Sequence, residues 1–175
     1  MTDNTRLNKR ILLLICVIGI ACCAIYYQNL PDIVAVHFNA KGWPDSQSSK
    51  MLNLLISAGA HIFLTALFLA LPLLINKLPV SLINLPHPEF WLTPERKKAT
   101  IIELKNRLID FCIVLNLFFI ALNYLTYLAN RSRPVRLNLE AFFLVFAVFL
   151  ALTAIWLIKF YRRFSQKEME KNQQI

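Results

Sequence analysis

Most of the residues able to do chemistry outside an apolar setting gather in one stretch. His37, Asn39, Asp45 and Lys50 stand there, with Gly42 and Pro44 between them. They offer an imidazole, an amide that both donates and accepts, and one charge of each sign. Such a set suits a zwitterionic peptide or a headgroup. Asp45, His37 and a nearby serine could also suggest a hydrolase. No Gly-x-Ser-x-Gly elbow or oxyanion loop accompanies them, so no catalytic residue is assigned. A purely structural reading stands beside the binding one: Pro31 ends a helix, Gly42 turns the chain, Ser49 caps the next helix, and Asp45 pairs with Lys50.

A second polar set lies inside apolar sequence. Ser57, His61 and Thr65 recur every four residues and would share one helical stripe, beside the small residues Ala58, Gly59 and Ala60. Asn116 and Asn123 are seven apart and share a face of a later helix, with Asp110 near its end and close to Arg107. These residues could line a path for a proton or ligand. They could equally bond helix to helix, at about 0.6 kcal/mol per pair. The second reading is preferred, because no acid sits at mid-depth.

Metal and redox chemistry find little support. His37, His61 and His87 fall at three different depths, whereas zinc needs at least three converging ligands. Cys16, Cys22, Cys23 and Cys112 all lie in apolar runs without a C-x-x-C, which argues against thiol exchange with soluble partners. Gly19 stands where a lipobox ahead of Cys22 wants a large aliphatic residue, so cleavage there is not expected. No cofactor is expected.

The elements that must position these groups are written in the composition. Of 175 residues, 57% are hydrophobic and only 17% charged, with mean hydropathy +0.52. A soluble domain carries about a quarter charged residues. Apolar runs cover 11–27, 51–75, 108–128 and 141–160. At 1.5 Å per residue they extend roughly 26 to 37 Å, so each can cross a hydrocarbon core of about 30 Å. One membrane domain of four helices is expected. Lys and Arg number fourteen in the amino tail, the 76–107 segment and the tail from Lys159, against five in the other two loops. The positive-inside rule then puts both termini in the cytoplasm. The net charge of +9 is a topology signal and calls for no nucleic acid.

Between the spans, 33–38 is β-branched and strand-like, and 40–42 reads as a turn. In a strand His37 and Asn39 face one way, while Val36 and Phe38 pack down on helix ends. The segment 134–139 alternates apolar and polar, and could pair with 33–38 as a small β cap. Thr93-Pro94-Glu95 reads as a hydroxyl-capped helix start, from which one helix runs along the interface into the third span, with Glu103 and Arg107 paired.

The stretch Leu30-Pro31, His37-Phe38-Asn39, Gly42-Trp43-Pro44-Asp45 and Ser49-Lys50 resembles the signature of a bacterial membrane family, the domain of unknown function numbered 1648, found also in SdpI-type immunity and signalling proteins. The segment 84–96 is similar to an inner-loop motif of some members. The resemblance implies a multi-pass protein of a bacterial inner membrane with a role in immunity or signalling. The expected whole is an all-α, integral membrane four-helix bundle with a small extracytoplasmic loop cap. Its expected function is non-enzymatic recognition of an extracytoplasmic peptide or envelope component. Ligand-binding residues would be His37, Asn39, Asp45 and Lys50, with His61, Asn116 and Asn123 as intramembrane polar residues. Partners would be the lipid bilayer, that ligand, and a second copy in a homo-oligomer. The alternatives are a small transporter or channel subunit using His61 and the two asparagines, and a membrane-embedded lipid-modifying enzyme.

Overall fold

The computed structural model describes residues 3–75, 77–79 and 82–165. In chain order the elements are α1 (Asp3–Asn29), β1 (Ile33–Phe38), β2 (Pro44–Ser49), α2 (Lys50–Ile75), α3 (Pro88–Trp91), α4 (Pro94–Arg131) and α5 (Leu139–Arg163). Helices α1, α2, α4 and α5 are each long and apolar enough to cross a membrane. The chain is an all-α, multi-pass membrane bundle. The four expected spans lie within these helices, which overrun them because helical hydrogen bonding continues into the polar flanks.

Local chemistry sets the helix ends. α1 stops before Leu30-Pro31, since proline lacks the N–H that would extend it and disfavours helix at the preceding residue. Ser49 caps α2, its Oγ accepting from Leu52 N at 3.2 Å. Asn138 caps α5 through Ala141 N at 3.0 Å, while Glu140 in the first turn and Arg162 and Arg163 in the last complement the helix dipole. α4 begins with Pro94 at its first position, as expected, but the Thr93 side chain makes no capping bond. The helix runs unbroken for 38 residues, about 57 Å, and Arg107 and Glu103 pair at 2.9 Å. Asp110 accepts from Asn8 Nδ2 at 2.8 Å, while Glu103, one turn before Arg107, takes the guanidinium as expected.

α1, α2 and α4 pack against one another, and α5 packs on α4. No described residue of α5 is buried. It holds to α4 through aromatic faces, with Phe118 stacked on Phe149 (centroids 4.2 Å apart) and Phe111 against Trp156 (4.7 Å). Trp156 Nε1 also donates to the Arg107 carbonyl at 2.8 Å. The face exposed beyond these contacts is apolar, as a lipid-facing helix requires.

At the end of the bundle where α1 begins and α5 ends, Leu85, Phe90, Trp91, Leu92, Leu104 and Phe164 form a buried cluster. Residues 84–87 are non-helical, with a bend at Pro86-His87 and His87 at φ 53° ahead of Pro88, where α3 begins. The short α3 that follows buries Trp91 against Phe164, its Nε1 donating to the Phe164 carbonyl at 3.3 Å. The opposite end carries the hairpin.

The hairpin departs from the expected cap in two ways. β1 pairs antiparallel with β2, from within the same loop, and not with 134–139, which forms no strand. The second loop docks onto the turn instead, Leu137 N donating to the Gly42 carbonyl at 2.9 Å. The strict alternation of β1 also fails. The register slips between Ala35 and His37 and again between His37 and Phe38, so Val34 and Ala35 are buried side by side and Val36 is exposed. A bulge places consecutive residues on one face, and pattern alone does not reveal it.

Candidate functional site

The hairpin is held over the bundle by one side chain. Asn130, near the end of α4, accepts from Ala35 N at 2.7 Å and donates to Ala35 O at 2.9 Å. It also donates to Thr126 O in its own helix at 2.9 Å. The amide thus serves β1 as another strand would, satisfying both backbone groups of a buried residue. At the base, Lys50 N donates to Asp32 O at 2.9 Å and Lys50 Nζ pairs with Asp32 Oδ1 at 3.0 Å. The expected Asp45–Lys50 pair is therefore replaced, because Asp32 and Lys50 flank the first rung, next to the pair Ile33 and Ser49.

At the tip, Asn39 Oδ1 accepts from the amides of Lys41 (2.9 Å) and Trp43 (3.1 Å), a side-chain closure of the turn. Gly42 sits at φ 80°, and a Cβ there would meet the Leu137 carbonyl at 2.7 Å. Glycine is needed on both counts. Arg136 lies over the Trp43 ring at 5.1 Å, completing the clasp between the two loops.

His37 and Asp45 face each other across the strands, Nδ1 donating to Oδ1 at 2.5 Å, with side chains 70% and 41% exposed. The four residues expected to bind ligand thus divide. His37 and Asp45 present their polar atoms to solvent, while the Asn39 carbonyl and the Lys50 ammonium are engaged in closing the hairpin.

Beneath the hairpin a groove of about 500 Å³ opens between α2 and α4, with Gln47, Asn53, Ser57, Asn123 and Thr126 among its walls. A smaller cavity of about 20 Å³, room for one water, adjoins it under Tyr26, Tyr27 and Lys50 and shares Asn53, Ser57, Asn123 and Thr126. Tyr26 stacks on Tyr127 there at 4.5 Å.

Asn123 leads from this vestibule to His61, which is fully buried. His61 Nδ1 lies 2.8 Å from Asn116 Oδ1, and its Nε2 lies 3.5 Å from Asn123 Nδ2. Asn116 Nδ2 donates to Cys112 O at 3.0 Å, so its Oδ1 is the acceptor and His61 Nδ1 carries the proton. Nε2 is then a lone-pair acceptor for Asn123. Every polar atom of the ring is used by a neutral histidine. Gly19 makes room for it: a Cβ at that position would lie 2.7 to 2.8 Å from three atoms of the ring.

On the far side of His61, Leu12, Ile109 and Cys112 are fully buried and sealed by Leu64, Phe68, Leu69 and Ile113. The vestibule ends there. His37 lies on the hairpin, His61 within the bundle and His87 beside α3. Asn130 and Gly19 are the residues that sequence reasoning missed. An uncharged amide in the last turns of an apolar helix, and a glycine in the first span, are the signals they leave.

Fold and site together define a multi-pass integral membrane protein with a clamped hairpin over a one-ended polar vestibule. The family described as Domain of unknown function (DUF1648) matches residues 14–59, from within α1 through the hairpin and into α2. The match contains the 30–50 motif and Gly19, and stops two residues short of His61. No curated protein and no solved structure matches the chain.

Proposed function

We propose that this is a non-enzymatic binding protein of the bacterial inner membrane, with both termini cytoplasmic. It recognises an extracytoplasmic peptide or envelope component at the hairpin, in an immunity or signalling role. The observation that carries the reading is the groove under the hairpin, about 500 Å³, walled on the hairpin side by Val36, Ser46, Gln47 and Ser48, with the exposed His37–Asp45 pair adjacent on the same two strands. A pair so exposed is weak, and a ligand can replace either partner without a large loss. Asn39 and Lys50 contribute by holding the shape that presents the pair. The orientation is supported by the fourteen-to-five division of Lys and Arg. A transport role has less support, because the apolar layer of Leu12, Ile109 and Cys112 closes the far side of His61.

The test is protection. Cells lacking the protein, and cells expressing it, are challenged with secreted membrane-active peptides from neighbouring strains. Expression should raise survival against at least one peptide. His37→Ala combined with Asp45→Asn should abolish that gain while leaving the amount in the membrane unchanged, since exposed polar substitutions shift stability by no more than about 0.5 kcal/mol. Equal survival with and without the protein across the panel contradicts the reading. So does full protection by the double variant.

A further inference from the structure

We propose that the groove between α2 and the start of α4, at the end of the bundle where α1 begins and α5 ends, binds an anionic phospholipid, with its apolar wall against the acyl chain and its lysines on the phosphate. The groove is about 420 Å³. Pro72, Ile101 and Ile102 form its apolar side, and Lys97, Lys98 and Lys105 its charged side. Lys97, Ile101 and Lys105 follow at intervals of four along α4, so cation, aliphatic and cation share one stripe. This is an amphiphile's pattern repeated within one site.

Among the described residues no ion pair involves Lys9, Lys97, Lys98 or Lys105. Glu103, the acid nearest in sequence to Lys105, is taken by Arg107 and Arg163. Packing of α1 on α4 meanwhile brings Lys9 close enough to Lys105 for the two like charges to repel, on top of the partial burial of Lys105. A phosphate bound at Lys105 in the groove would supply the opposite charge and offset that repulsion.

A lipid is favoured over a free phosphate by depth and by the apolar wall. α4 is about 57 Å long and overruns a hydrocarbon core of about 30 Å, so the turn ahead of its 108–128 apolar run, which carries Lys105, stands at the boundary between chains and headgroups, with Lys97 and Lys98 beyond it. Leu73, on the α2 side of the groove, is 68% exposed and continues the apolar wall outward. Lysines at such a boundary extend to the headgroup layer while their stems stay among chains. The site lies at the opposite end from the hairpin and stands independently of the proposed binding role.

The full-length protein in detergent is titrated with dioleoylphosphatidylglycerol, with dioleoylphosphatidylcholine and with inorganic phosphate, following its melting temperature. The anionic lipid should raise the midpoint, and the other two should leave it unchanged. Lys97→Gln, Lys98→Gln and Lys105→Gln together should weaken the lipid response on the order of a hundredfold, at about fivefold per lysine. The corresponding arginine variant should retain it. Should the triple glutamine variant fail to fold, Lys98→Gln alone, at an exposed position, should weaken it about fivefold. Equal responses to both lipids, a full response to phosphate alone, or undiminished binding by the glutamine variants would overturn the proposal.

Discussion

His61 stands where lipid chains and aliphatic side chains offer no hydrogen bonds, and the bundle supplies them from α4 alone. Asn116 Oδ1 accepts from its Nδ1–H and Asn123 Nδ2 meets the lone pair of its Nε2, while Gly19 on α1 yields the space the ring fills. The contact with Gly19 makes a sharp prediction. Gly19→Ala should destabilise the protein by about 1–3 kcal/mol, the cost of overpacking a filled site. In a His61→Ala background the same substitution should be close to neutral, because the ring it strikes is gone. Unfolding in detergent of the two single variants and the double variant measures the coupling; an equal cost in both backgrounds would show that ring and glycine do not share this space. The polar stripe of His61 and the seven-residue spacing of the asparagines were legible in the sequence, since a helix puts such positions on one face. Gly19 was not legible. A glycine in a span says that something comes close, but not what.

Among the elements, the hairpin depends most on contacts distant in sequence. Its strand character followed from β-branched residues, its turn from Gly42, and the start of α2 from Ser49. The pairing partner did not follow. The 44–49 segment is polar and serine-rich, with no alternation to mark a strand, and it pairs because the turn closed by Asn39 delivers it there. The bulge at Val36 was equally hidden, and it turns the Ala35 backbone toward Asn130. Asn130→Ala should therefore release the hairpin from α4 without unfolding the helices. Leaving the two backbone groups of Ala35 without partners costs about 1–3 kcal/mol each unless water reaches them. Amide hydrogen exchange should quicken across 33–38 and stay slow in α1, α2 and α4. Unchanged exchange in β1 would mean that the strand is held by β2 alone.

At the scale of the whole molecule, three helices build a packed core around His61, and α5 is added on one side through stacked rings. The two ends differ in kind. One carries the hairpin, the vestibule and the tyrosine cluster, and the other an aromatic cap around Trp91 and an array of lysines and arginines. Composition made the four spans plain, because apolar runs of this length have one common use. The aromatic cap was not foreseen, since Phe90, Trp91 and Phe164 meet only after the chain has crossed the membrane twice more. Recognition of an extracytoplasmic ligand requires the hairpin end to face outward, and the side of the membrane can be read directly. The native cysteines lie within the spans, so a single cysteine introduced by Ser46→Cys on exposed β2 reports for the hairpin, and Lys98→Cys reports for the opposite end. In intact cells a membrane-impermeant maleimide should label Ser46→Cys strongly, and should reach Lys98→Cys only after the membrane is opened. Labelling of Lys98→Cys in intact cells, with Ser46→Cys protected until lysis, would invert the protein and remove the hairpin from any extracytoplasmic ligand.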